Sequence, residues 1–251
     1  MTIAFVAGAT GYTGRHVTER LAREGVRAIA HVRPDSPSLG AWMSRFSAAG
    51  AETDSTPWID DDMARTMGRL RPDVVFALLG TTRARTARDE RATGKAAGYD
   101  AVDYGLSALL LRAARSAGIR PLVVYLSSIG ANAASGNPYL AVRGRFENEL
   151  RASGLPHLIV QPSFISGSDR DERRVAERVA SVAVDVLLQG AALFGAGRLR
   201  DRWSTLTGDA LAAGMVRLAL DAPDGRTTVD AADIRAAARV IAPSNERSNT
   251  P

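Results

Sequence analysis

Close to its start the chain reads Gly8-Ala9-Thr10-Gly11-Tyr12-Thr13-Gly14. An apolar stretch of strand length, Ile3–Ala7, precedes this run, and an amphipathic stretch over residues 12–24 follows it. Few turns join a strand to a helix over so short a distance, and this one carries glycine at each third position. Gly8 lets the chain reverse sharply, Gly11 lets a diphosphate approach the backbone, and Gly14 lets the helix lie close on the strand. Bare amides and the positive end of the helix dipole favour an anion there. A tight turn without a ligand can use the same residues. Placed at the first strand–helix junction, the run predicts a dinucleotide site that includes Thr10, Tyr12 and Thr13.

The rest of the chain continues the alternation. Strands are expected at residues 26–32, 51–56, 73–79, 122–126 and 158–160, and helices at 38–49, 60–70, 96–117 and 138–150. Val102, Leu106, Leu109, Leu110 and Ala113 mark the apolar stripe of the 96–117 helix. Further on, helices are expected at 172–194, 207–222 and 231–240, with a short strand at 227–229. This pattern predicts an α/β fold: a Rossmann-type doubly wound parallel sheet with helices on both faces. Residues 1–242 form a single domain whose substrate-side region spans about 163–242, and residues 243–251 read as a disordered tail. Right-handed crossovers place the ligand crevice at the carboxyl ends of the strands.

Composition narrows the function. There is no cysteine, which excludes disulfides, thiolate metal sites and cysteine nucleophiles. His16, His31 and His157 are the three histidines, and none is spaced as in a zinc motif. The formal charge is +5, almost all of it from arginine, and Lys95 is the only lysine. Acidic residues are interspersed and no basic run is interleaved with aromatics, so no nucleic-acid partner is expected. The weakly polar stretch 179–194 is too short to span a membrane. The N-terminal segment reads as a strand rather than a signal peptide, which gives a cytoplasmic expectation.

Two further groups carry chemistry. At the end of the second strand, where an NAD site carries an acidic residue, the chain has Arg33, which can pair with a 2′-phosphate; NADP(H) is preferred, and nearby Asp35 keeps NAD(H) open. At the end of the fifth strand stand Ser127 and Ser128, followed by Tyr139 and, one helical turn later, Arg143. Tyrosine can give a proton to a carbonyl oxygen when a cation is near, and a serine hydroxyl can hold the same oxygen. Adjacent strand residues face opposite ways, so Ser127 and Ser128 remain alternatives on spacing alone.

In this order the Gly8–Gly14 turn, Ser127-Ser128 and Tyr139-x-x-x-Arg143 resemble the short-chain dehydrogenase/reductase superfamily, in its atypical, extended-like branch. The stretches Val74–Arg83, Leu126–Ser128 and Tyr139–Gly144 are similar to the TIP30 oxidoreductase-like group of NAD(P)H-binding proteins. The resemblance covers about residues 3–167. It implies NADPH as cofactor and Ser–Tyr–Lys chemistry, with Ser128 as the serine and Tyr139 as the general acid. Leu79, Gly80 and Thr81 then line the nicotinamide side, and Pro162 lies near the nicotinamide amide. The family's lysine is Arg143 here. It keeps the charge that binds ribose and tunes the tyrosine, but it cannot relay a proton. No asparagine stands in the 96–117 helix to complete the superfamily's proton relay.

The expected substrate is a small, largely apolar carbonyl or alcohol, faced by Phe164, Ile165, Leu187, Leu188, Leu193, Phe194 and Trp203, a set that a homodimer contact would use equally well. Arg83, Arg85, Arg88 and Arg91 read equally as a group steering anions toward the crevice or as a disordered, solvated loop, and Arg170, Arg173 and Arg174 read as a solvated helix start in preference to an anionic-substrate site. A cofactor-binding regulatory or scaffold protein with a protein partner is the other class the sequence allows, because lysine is replaced at Arg143.

Overall fold

The computed structural model describes residues 1–80, 99–163, 165–166, 206–222 and 224–239. The expected 172–194 helix, the arginines at 83–91 and 170–174, the apolar group Phe164 and 187–203, and the 243–251 tail lie outside the described residues.

Strands β1 (Ile3–Ala7), β2 (Arg27–His31), β3 (Glu52–Asp54), β4 (Val74–Ala77), β5 (Leu122–Leu126), β6 (His157–Gln161) and β9 (Arg226–Asp230) form one sheet in the order β3-β2-β1-β4-β5-β6-β9. Every pairing in it is parallel. A two-residue parallel pair, β7 (Ile165–Ser166) with β8 (Leu206–Thr207), was not expected from the sequence. Helices are α1 (Tyr12–Arg23), α2 (Leu39–Ala48), α3 (Asp60–Leu70), α4 (Leu106–Ser116), α5 (Pro138–Ala152), α6 (Gly208–Asp221) and α7 (Ala231–Arg239).

Strand side chains alternate between two cores. Ala4, Val6, Phe76, Val124 and Val160 face α1, α2, α6 and α7, where they meet Val17, Leu21, Phe46, Met215 and Ile234. Phe5, Val75, Val123, Tyr125 and Ile159 face α3, α4 and α5, where they meet Met63, Met67, Leu110 and Phe146. A sheet buried on both faces explains why these strands read as continuous apolar runs. The strand order reverses between β1 and β4, the point at which open α/β sheets form their ligand crevice.

One element departs from expectation. The long helix begins in a wider, π-type turn over Tyr99–Gly105 before continuing as α4. Val102, expected in the core, is half-buried, whereas Asp103 is fully buried. Such turns insert one residue into a helix and often stand at functional sites.

At the β1–α1 junction Gly8 has φ +83°, and a Cβ on Gly14 would lie 2.1 Å from the Gly8 carbonyl oxygen. Helix and turn are in backbone contact that no side chain permits. Gly14→Ala is therefore expected to lower stability by about 1–3 kcal/mol or more. Gly40→Ala, where a Cβ meets nothing within 4 Å on α2, is expected to raise it by up to about 1 kcal/mol. Urea unfolding of the two variants checks the opposite signs.

Candidate active site at the carboxyl edge of the sheet

The glycine turn is closed by the amide of Gly11 donating to the carbonyl of Gly8 over 2.9 Å. No side chain caps the start of α1, and its first turn carries no carboxylate. The positive end of this dipole thus faces the crevice without being neutralised by its own helix. The Tyr12 ring packs across α6: a Cβ on Gly208 would lie 2.7 Å from it, and His16 meets it edge-on at 5.0 Å. His16 in turn contacts Asp209 at 2.9 Å. Thr13 and Gly14 are buried, Thr10 is half-buried and Gly11 is exposed.

Arg33 follows β2, with its side chain 39% exposed and a 3.2 Å contact to Asp35. Beside it His31 is buried, with Nε2 2.8 Å from the Thr56 carbonyl and the ring edge-on to Trp58. Burial lowers the His31 pKa and outweighs the Thr56 carbonyl and Asp54, which act to raise it.

The fifth strand resolves its two serines differently. Ser127 is in phase with Val123 and Tyr125 and turns toward α5, where its hydroxyl donates to Glu147 over 2.5 Å. The buried Glu147 carboxylate also accepts from Gln161 at 2.8 Å and Arg151 at 2.9 Å. Among the described residues the Ser128 hydroxyl finds a long 3.3 Å bond to the Ile129 carbonyl. Pro162 is buried next to this loop, and its carbonyl accepts from the Ile129 amide at 3.2 Å.

Asn137 caps α5 by accepting from the amides of Tyr139 and Leu140, and Pro138 occupies the first turn. Tyr139 is half-buried; Arg143, one turn on, is 5% exposed. The Arg143 guanidinium lies 5.2 Å from the Tyr139 ring centroid, as the spacing predicts. Its terminal nitrogens then run inward. Nη1 donates to the Leu126 carbonyl at 2.6 Å and to the Tyr125 hydroxyl at 3.3 Å. Nη2 donates to the Leu79 carbonyl at 3.1 Å and to Asp103 at 2.6 Å. Burial disfavours the Arg143 charge, yet Tyr125, Tyr139 and Asp103 outweigh it and hold its pKa above the ordinary value. Among the described residues Nε has no hydrogen-bond partner. Gly80 is exposed at this edge, and a Cβ there would lie 2.9 Å from Arg143 Nη2. Thr81 lies outside the described residues.

The structure therefore brings Ser128, Tyr139, Arg143, Leu79, Gly80 and Pro162 to the ends of β4, β5 and β6, and the Gly8–Gly14 turn to the end of β1. Sequence reasoning missed Asp103, Tyr125 and Glu147. Asp103 had a signal: with Ser107, Leu110 and Ala114 it falls at helical spacing, a carboxylate on an apolar stripe. Glu147 stands one turn beyond Arg143, as Arg143 does beyond Tyr139. Among the described residues no cluster of His, Asp and Glu suits a metal ion, and no helix is long and apolar enough to cross a membrane.

Set beside known proteins, residues 8–185 match the family described as NAD(P)H-binding. The chain belongs to that family. It is 30% identical over 240 residues to protein fmp52-1, mitochondrial, of Aspergillus terreus, covering 91% of this chain and 94% of that one. It is 32% identical to protein fmp52, mitochondrial, of Aspergillus fumigatus, over 87% of each chain. These relatives correct the cytoplasmic expectation, since their names are those of mitochondrial proteins. The N-terminal segment is a strand as read, but a strand carries no information about compartment. Nothing in these names bears on the narrower TIP30 likeness. In fold the chain resembles UDP-glucose 4-epimerase from Bifidobacterium longum, with a TM-score of 0.62 at 16% identity, covering 90% of this chain and 76% of that one. It also resembles a protein described as an NAD-dependent epimerase/dehydratase from Bacillus halodurans, with a TM-score of 0.65 at 16% identity, over 94% and 99%.

Burial pushes the Tyr125 hydroxyl up to about 12, against the opposing pull of Arg143. A folded-state pKa above the unfolded value means that the folded protein holds this proton longer. Its contribution is complete below about pH 10 and is lost as pH rises toward 12. Stability is expected to fall over that window, and the slope to be shallower in Tyr125→Phe. Urea midpoints at successive pH values measure both.

Proposed function

We propose that the protein is an NADPH-dependent oxidoreductase acting on a small, largely apolar carbonyl or alcohol. The observation that supports this most is the backbone cradle at Gly8–Gly14, set at the sheet's switch point opposite Ser128 and Tyr139. The residues present fit a nicotinamide dinucleotide in two respects: the start of α1 is uncapped and bare of carboxylate, and the buried Arg143 Nε lacks a partner among the described residues. When bound, the cofactor supplies or takes a hydride at the substrate carbon.

The chain's own residues do the rest. Gly8, Thr10, Gly11, Tyr12, Thr13 and Gly14 hold the diphosphate, chiefly through the backbone. Arg33 gives up its exposed contact with Asp35, worth at most about 1 kcal/mol, for the stronger pairing a 2′-phosphate offers. Leu79, Gly80 and Pro162 would border the nicotinamide half. Tyr139 donates a proton to the carbonyl oxygen, and Ser128 exchanges its long bond to Ile129 for one to that oxygen.

The other reading, a cofactor-binding regulatory or scaffold protein without turnover, draws on Arg143, whose terminal nitrogens are engaged inside the protein where the family has lysine. If NADPH raises the melting temperature yet no carbonyl compound causes its oxidation, that reading gains.

Calorimetric titration is expected to give tighter binding of NADPH than of NADH. Arg33→Ala is expected to weaken NADPH by about tenfold, the size of one charge-assisted contact, and to leave NADH unchanged. Tyr139→Phe is expected to abolish turnover while NADPH still binds; full activity in that variant removes Tyr139 from its role.

A further inference from the structure

We propose that Asp103 is a positioning residue: it locks the Arg143 guanidinium into a tie across the ends of β4 and β5, and this tie shapes the nicotinamide half of the cofactor site. The inference rests on the reading above that a nicotinamide dinucleotide binds here.

The geometry is that of a fork held at its tips. Leu79 O belongs to the segment leaving β4 and Leu126 O to the last residue of β5; both lie at the carboxyl edge and both accept from Arg143. A planar guanidinium can serve two carbonyls, a carboxylate and a hydroxyl together, whereas a lysine ammonium has three donors around a single nitrogen. Only a charged partner makes such burial tolerable, and Asp103 supplies it at 2.6 Å with both side chains all but excluded from solvent. Asp103 lies in the wider turn over Tyr99–Gly105, on the face of the buried Ser107, Leu110 and Ala114, and Ser107 secures that turn by donating to the Asp103 carbonyl at 2.8 Å. The tie also bounds the site. Nη2 stands where a Cβ on Gly80 would come within 2.9 Å, and the guanidinium supports the Tyr139 ring from 5.2 Å. Arg143 thus acts on the site from beneath, fixed by Asp103, rather than as a mobile surface cation.

The switch-point geometry assigns the adenosine half of a dinucleotide to the β2 side and the other half to the β4–β5 side. Loss of the tie therefore has a directional signature. In Asp103→Asn, which keeps an acceptor for Arg143 but removes the buried counter-charge, calorimetry is expected to show NADPH binding weakened by about tenfold, with binding of 2′,5′-ADP unchanged. Arg143→Lys, which keeps the charge and loses the fork, is expected to show the same split and serves if Asp103→Asn does not fold. Equal weakening of NADPH and 2′,5′-ADP, or no weakening of either, overturns the positioning role while leaving the cofactor reading intact. If the wild type binds neither NADPH nor NADH, both fall. The tie itself is read without any cofactor: urea midpoints of the two single variants and the double variant are expected to be strongly non-additive, and additive losses overturn it.

Discussion

The whole arrangement depends on a backbone-to-backbone approach at the switch point. The Gly8 carbonyl and the Gly14 Cα region meet with no space for a methyl group, and Gly8 also lies against the Leu78 carbonyl that follows β4. Helix α1, the turn before it and the segment leaving β4 are thereby held at one depth at the carboxyl edge of the sheet. With a side chain at either glycine, α1 would have to rise from the sheet. Its uncapped amides would then no longer be level with the ends of β4 and β5. The core packing of Val17 and Leu21 against Ala4 and Val6 depends on the same approach.

A second constraint is electrostatic and acts through α5. Tyr139, Arg143, Glu147 and Arg151 recur every fourth residue and form one stripe. Two members of this stripe, Arg143 and Glu147, are almost fully buried, and a buried charge is tolerated only when its partners are in place. Arg143 draws its partners from the segment leaving β4, from β5 and from the turn before α4; Glu147 draws its own from the residue after β5, from β6 and from α5 itself. Each charge thus ties three elements at the end where the crevice lies. Breaking a buried pair by removing one partner costs about 3–5 kcal/mol because it strands the other charge, so the members of this stripe are held in place together at the site.

These two constraints explain what the sequence could reveal. The strands were legible because a sheet covered on both faces needs uninterrupted apolar residues, as in Val74-Val75-Phe76-Ala77. The glycine turn was legible because steric demands leave a fixed spacing. The Tyr139–Arg143 adjacency followed from helix periodicity alone. Asp103 was passed over because the stripe through Val102, Leu106, Leu109 and Ala113 marked the apolar face, although Asp103 shares the spacing of the buried Ser107, Leu110 and Ala114. Which serine faces α5 was hidden. The answer depends on Glu147, twenty residues on, and on the phase of β5 at its last turn.

The division between Ser127 and Ser128 carries a consequence for the site. A hydroxyl that donates to a buried carboxylate at 2.5 Å is committed, since releasing it would leave Glu147 without one of its donors in a place water hardly reaches. A hydroxyl whose acceptor is a carbonyl at 3.3 Å forfeits little when it turns away. The two adjacent serines therefore divide the work. Ser127 secures β5 to α5 and β6, and Ser128 is the one whose hydrogen bond can be exchanged for a ligand's. The same contrast separates the arginines: Arg33 holds a partly exposed contact that is easily surrendered, while Arg143 holds buried ones that are not. Ligand contacts are expected where the protein's own hydrogen bonds are weakest, and the strongest of them, beneath the crevice, keep the strand ends in position.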